Sequence, residues 1–235
     1  MPASPAAPAR FRPDFRHVEA WIFDLDNTLY RADSDLFAQI DARMAAYVSR
    51  LLNLPPDEAR RLQKAYYHDH GTTLNGLIKL HEVDAEAYLE EVHDIDLTVL
   101  APDPALNAAI ARLPGRRFVF TNGCRNYAAR VLDRIGLGTI ADDVWDIRTM
   151  EFQPKPFAAA YDTVVAKAQV APKRAAMFED LARNLVHPHA LGMTTVWLDN
   201  GSAWSRQGPE FPVAQSGHID YETKDLAGFL QGILV

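Results

Sequence analysis

The chain has one cysteine, Cys124, in 235 residues. That excludes an internal disulfide and fits a reducing compartment, so the expected location is cytoplasmic. Cys124 precedes a helix start, where a thiol can be activated, but the expected role is a small packing residue. No stretch approaches the ~20 consecutive apolar residues of a membrane span. Residues 1–16 are rich in Pro and Ala and lack the apolar core of a signal peptide. They read as a disordered tail, packed only near Phe11 and Phe15. Basic clusters are also missing: Arg60-Arg61 and Arg116-Arg117 are short, the net charge is −7 and the pI is near 5.6. A nucleic-acid polymer is therefore not an expected partner. No internal repeat is evident. With 48% hydrophobic and 23% charged residues, the composition is that of an ordinary globular protein, long enough for one large or two small domains. A monomer or homodimer is expected.

What is present begins at Trp21-Ile22-Phe23, a short apolar run that reads as a buried strand. It is followed by Asp24-Leu25-Asp26-Asn27-Thr28. Two acids thus fall at the carboxyl end of a strand, where ligands bind in parallel α/β sheets. Carboxylates this close repel each other unless a cation holds them, and a hard ion such as Mg²⁺ meets that need. Taken alone, the pair reads equally well as a solvated acidic turn.

Three later stretches repeat the pattern. Phe118-Val119-Phe120 leads into Thr121-Asn122-Gly123 and a helix pattern. A hydroxyl and N–H groups at such a junction form an anion site, although an ordinary strand-to-helix turn looks the same. Pro154-Lys155-Pro156 restricts the backbone around one lysine, suiting it to a phosphate or carboxylate partner; a surface lysine in a Pro-rich turn is the alternative. Ala175-Ala176-Met177-Phe178 ends in Glu179-Asp180, where Asp180 could also cap a helix. Each stretch is weak by itself, and their order and spacing together carry the signal.

In that order, Asp24-x-Asp26-x-Thr28, Thr121, Lys155 and Glu179-Asp180 with Asn184 resemble the four motifs of the haloacid dehalogenase superfamily of phosphohydrolases. The resemblance covers nearly the whole chain after about residue 18. It implies an α/β fold, a doubly wound parallel-sheet core with an inserted helical cap. It also implies roles for single residues. Asp24 is the carboxylate nucleophile that forms an aspartyl-phosphate. Asp26 is the general acid and then base, and dehalogenase members lack an acid there. Thr121, Asn122 and Lys155 bind the phosphoryl group. Asp24, the carbonyl of Asp26 and the Asp180 carboxylate bind Mg²⁺, with Glu179 in an outer shell.

Alternation of strand and helix signals points to the same core. Strands are expected at 20–24, 117–121, 143–147, 175–179 and 193–198, with a short one at 218–221. Helices are expected at 104–113, 126–135, 157–169, 181–191 and 224–233, the fourth interrupted by Pro188. Residues 200–217 read as a surface loop. The core is expected at 17–31 and 102–235. Between its two parts lies a cap at 32–101, with helical spacing from Leu36 to Leu51. Further helices are expected at 56–68, 72–81 and 84–93, the last capped by Asp84.

Only the cap bears on the leaving group. Its segment Tyr67-His68-Asp69-His70-Gly71-Thr72-Thr73-Leu74-Asn75 joins aromatic and imidazole groups to a Gly-Thr-Thr turn. On physical grounds alone the turn is a helix connection with Thr72 as N-cap. Gly71-Thr72-Thr73-Leu74-Asn75-Gly76-Leu77, together with Asn27 and Tyr30 in the first motif, is similar to the pyrimidine 5′-nucleotidase branch of the superfamily. His70 stands where an aromatic residue, commonly Tyr, is expected. The resemblance implies a nucleoside 5′-monophosphate substrate, pyrimidines first, contacted by His68, His70, Thr72 and Thr73. A phosphatase for a sugar phosphate or phosphoglycolate is the competing expectation.

Overall fold

The computed structural model describes residues 12–201 and 217–235. Six parallel strands form one sheet: β1 (Ala20–Phe23), β2 (Arg116–Phe120), β3 (Asp143–Trp145), β4 (Ala175–Glu179), β5 (Thr194–Leu198) and β6 (Tyr221–Thr223). Their order is β3-β2-β1-β4-β5-β6. Every residue of β1 and β4 is buried, as a strand covered on both faces requires, so these strands read as unbroken apolar runs up to Glu179 at the end of β4. Around β1 the sheet packs aromatic rings. Phe23 stacks on Phe178 at 4.7 Å, and Phe15 stacks on Trp21 at 5.8 Å. Phe15 is fully buried and Asp14 bridges to Leu234, so order begins before residue 16. Phe11 lies outside the described residues. The last strand comes three residues later than its apolar signal. Residues 218–220 instead turn inward, and Thr195 accepts and donates hydrogen bonds with Asp220 and donates to the His218 carbonyl.

Five helices flank the sheet: α5 (Pro104–Ala111), α6 (Arg125–Arg134), α7 (Ala158–Ala168), α8 (Val186–Leu191) and α9 (Leu226–Gly232). The helix expected over 181–191 with a break at Pro188 is instead broken before Val186. Ala182–Leu185 is a 3₁₀ turn, and α8 follows with Pro188 in its first turn, where a missing N–H costs nothing. Asp180 caps neither piece. Most of the expected loop at 200–217 lies outside the described residues.

Between β1 and β2 the chain forms α1 (Leu36–Leu52), α2 (Pro56–His70), α3 (Thr73–His81) and α4 (Ala85–Val92). Asp84 caps α4 by accepting from the Glu86 and Ala87 N–H groups, and Thr72 caps α3 by accepting from Asn75 N–H. Gly71 joins α2 to α3 at φ +83°, and a Cβ there would lie 2.9 Å from Phe157 and 3.1 Å from Pro154. Glycine is thus required where this turn meets the segment carrying Lys155. Among the described residues no helix is long and apolar enough to cross a membrane.

Candidate active site

Register brings the motifs together. Phe23 pairs with Val119 on one side and with Phe178 on the other, so β1, β2 and β4 end side by side. The sheet order reverses at β1, and a parallel sheet opens a crevice at such a point. Asp24, Thr121 and Asp180 follow directly from these strand ends.

Lys155 is the centre of the charge network. Its ammonium donates to Asp24 Oδ1 at 2.6 Å, to Glu179 Oε2 at 2.7 Å and to the Phe120 carbonyl at 2.9 Å. All three protons are used. Burial works against the charged form, but Asp24 and Glu179 outweigh it and hold the pKa above the ordinary lysine value. Asn122 fixes the lysine's backbone: its Oδ1 accepts from Lys155 N–H at 2.9 Å, and its Nδ2 donates to the Lys155 carbonyl at 3.1 Å. The side chain of Asn122 therefore serves the lysine loop. Thr121 is fully buried, and its Oγ1 accepts from Gly123 N–H at 2.9 Å. Asn122 and Gly123, and not Thr121, line the adjoining cavity.

One carboxylate oxygen from each of Asp24, Glu179 and Asp180 lies within 4.8 Å of the others. Glu179 is tied on both oxygens, to Lys155 and to Asn184 Nδ2 at 2.9 Å. Asp180 accepts from Asn200 Nδ2 at 3.1 Å. Burial first, then the neighbouring acids, push Glu179 and Asp180 up from the usual carboxylate range. Three buried acids sharing one bonded ammonium are short of positive charge, and their hard oxygen donors suit a divalent ion such as Mg²⁺. The Asp26 carboxylate is not part of this cluster. Two phenols hold it instead: Tyr30 donates to Oδ1 at 2.7 Å and Tyr127 donates to the same oxygen at 2.6 Å. Burial, then Asp24, raise Asp26 to about 6, with the phenols opposing. Asn27 takes φ 60° in the turn between Asp26 and Thr28. Asn tolerates this left-handed conformation better than most side chains, which accounts for its place in the motif.

A cavity of about 380 Å³ opens on Asp24, Asp26, Lys155 and Asp180 and is closed on its far side by α1–α4. Phe37, Met44, Gln63, Tyr67, Thr73 and Tyr88 are among the cap residues on its wall. Thr72 and Thr73 line it, but Thr72 is engaged as N-cap and Thr73 donates to the Gln63 carbonyl at 3.3 Å. His68 and His70 do not line it. His68 is exposed and bonds Asp69 at 2.7 Å, and His70 packs beside Tyr66. Helical spacing explains this: Tyr67 faces the core, which turns position 68 outward. The Arg183 guanidinium lies 4.3 Å from the Tyr67 ring, linking cap to core. Neither this pair nor the Tyr127 clamp has a sequence signal beyond a helical position near a motif. Cys124 is buried, with its Sγ 3.3 Å from His93 Nδ1.

The model of the haloacid dehalogenase-like hydrolases matches residues 18–185, a span that contains every group in this network except Asn200. The chain belongs to the haloacid dehalogenase-like hydrolase family. It is 27% identical over 136 residues to phosphate metabolism protein 8 of Saccharomyces cerevisiae. That match covers 54% of this chain and 42% of the yeast protein, so it spans less than half the relative's length. A predicted phosphoglycolate phosphatase of Haemophilus somnus superposes with a TM-score of 0.61 at 18% identity, covering 92% of this chain and 98% of that one. YfnB of Bacillus subtilis, solved bound to magnesium, superposes with a TM-score of 0.59 at 15% identity, covering 93% and 99%. At these identities the likeness to this hydrolase family's solved members concerns the fold.

Proposed function

We propose that the protein is a Mg²⁺-dependent phosphatase that hydrolyses nucleoside 5′-monophosphates, pyrimidines first, through an aspartyl-phosphate. One observation carries the reading. A carboxylate fixed by a buried lysine and a second carboxyl with a raised pKa open onto the same cavity. A halide leaves as a weak base and needs no acid, whereas the alkoxide of a phosphate ester does. The Asp26 carboxyl supplies that acid and favours phosphatase over dehalogenase chemistry.

Asp24 keeps Oδ2 for attack, because its side-chain hydrogen bond to the protein ends on Oδ1. As the bond from Asp24 to phosphorus forms, the bond from phosphorus to the leaving oxygen breaks. The Asp26 proton passes to that oxygen and the alcohol departs. Asp26, now a carboxylate, takes a proton from water; the water oxygen bonds to phosphorus, Asp24 is released and inorganic phosphate leaves. The Thr121 hydroxyl still has its proton to donate and, with the Asn122 N–H, would hold the phosphoryl oxygens. Lys155 offsets their charge through Asp24. Mg²⁺, held by Asp24, the Asp26 carbonyl and Asp180 with Glu179 behind, would neutralise charge on the phosphoryl group.

The cavity falls within the roughly 300–1,000 Å³ range of small-ligand sites and has room beyond the phosphate. Phe37 is an aromatic ring 39% exposed at its wall, free of the core packing that explains most large apolar residues. It suits the face of a planar base, with Gln63 and Thr73 deeper in. Phosphate release from nucleotides, sugar phosphates and phosphoglycolate, with Mg²⁺ and with chelator, tests the reading. Faster turnover of a sugar phosphate than of any nucleotide would move the assignment to the other substrate class.

A further inference from the structure

We propose that Tyr30 and Tyr127 are positioning residues that lock the rotation of the Asp26 carboxyl and present Oδ2 alone to the reacting oxygen. The inference rests on the assignment of Asp26 as the proton donor. Both phenols, 2.7 and 2.6 Å away, donate to Oδ1. An oxygen that accepts two such bonds has both lone pairs occupied in the carboxyl plane. A proton on Oδ1 would displace one of them. Oδ2 has no hydrogen-bond partner among the described residues, and Asp26 lies on the cavity wall. The transferable proton, and later the proton taken from water, therefore belongs on Oδ2.

The clamp is itself held in place. The two hydroxyls lie 3.4 Å apart with both protons directed at Oδ1. Tyr30 and Tyr127 are 7% and 1% exposed. The Tyr127 ring stacks on His93 with centroids 4.4 Å apart and planes 8° from parallel. His93 follows α4 in the cap, Tyr127 sits on α6 of the core and Tyr30 belongs to the loop after β1. Two separate segments thus converge on one oxygen, and a third seats the Tyr127 ring. A carboxyl needing only burial would not require two donors on the same atom.

The test is a leaving-group series (a dinitrophenyl phosphate, phenyl phosphate and a nucleotide) run on wild type, Asp26→Asn, Tyr30→Phe, Tyr127→Phe and the double phenylalanine variant. Each change removes one hydroxyl from a buried ring, and thermal unfolding of every variant identifies any loss of fold. Misplacing a reacting group by about 1 Å costs on the order of 10²-fold. The double variant should lose about 10–100-fold in kcat/KM, which reports transfer to Asp24 and not the later attack of water, on the nucleotide and phenyl phosphate. On the dinitrophenyl ester, which departs unprotonated, the loss should be under about threefold. Each single variant should lose less, because the other phenol still holds Oδ1. A double variant equal to wild type on every substrate, or equally slow on all of them, overturns the clamp. Asp26→Asn separates the two levels. If it too falls equally on all leaving groups, the acid assignment fails and takes the clamp with it. If Asp26→Asn is selective and the tyrosine variants are not, the clamp alone fails.

Discussion

The deficit of positive charge among Asp24, Glu179 and Asp180 predicts that stabilisation by Mg²⁺ grows with pH. Burial, then neighbouring acids, raise Glu179 to about 7 and Asp26 to about 6, above the ordinary carboxylate range, and raise Asp180 as well. Such groups bind protons more tightly in the fold than in the unfolded chain. Their contribution to metal-free stability is complete below about pH 4 and is lost as pH rises through about 6 to 7. Mg²⁺ competes with the protons of Glu179 and Asp180, while the Asp26 carboxyl lies outside the cluster and keeps its own. Each proton displaced couples its binding to pH by about 1.4 kcal/mol per unit. At a hundredfold excess over its Kd, a ligand stabilises by about 2.7 kcal/mol. The difference in unfolding free energy between about 10 mM Mg²⁺ and chelator should therefore rise from near zero at pH 5 to about 2–3 kcal/mol at pH 7.5. The buried His93, lowered to about 4, acts in the opposite sense, losing stability as pH falls. It is present in both arms, so it cancels in the difference. Denaturant melts at five pH values in each condition give the curve. A difference that stays flat or shrinks with pH would refute the account of the cluster as a site short of one divalent cation.

Asp24→Asn should abolish phosphate release while the denaturant midpoint stays near or above wild type, since an amide removes one of the crowded charges; turnover within tenfold of wild type would refute the nucleophile. Lys155→Met should destabilise the fold by about 3–5 kcal/mol, because Asp24 and Glu179 are left buried without their partner; urea unfolding measures it. Phe37→Ala should lower kcat/KM for UMP and CMP by about tenfold and leave an aryl phosphate nearly unchanged, because the ring covers only a remote part of the substrate; parallel losses on both would remove the base contact. His68→Ala should change neither substrate, since that ring is turned to solvent and paired with Asp69.

Much of the core was legible in sequence because its signals are local. A buried parallel strand must be a short apolar run, and Trp21-Ile22-Phe23 and Ala175-Ala176-Met177-Phe178 are such runs. Each ends in a residue able to do chemistry, so the order of the motifs could be read without knowing their distances. The cap helices were legible for the same reason: capping by Asp84 and Thr72 depends on neighbours two to three residues away. Only the tertiary structure decided what depends on pairing across the chain. The Lys155 ammonium meets Asp24, 131 positions away in sequence, because Asn122 just past the end of β2 holds the lysine's backbone. Helix rotation turned His68 away from the cavity and Tyr67 toward Arg183. The clamp on Asp26 joins residues 101 positions apart through a phenol whose own segment reads as an ordinary helix. Side-chain direction in a helix follows from which face the rest of the fold buries, and no pattern within Arg125–Arg134 contains the cap residue His93 that seats Tyr127.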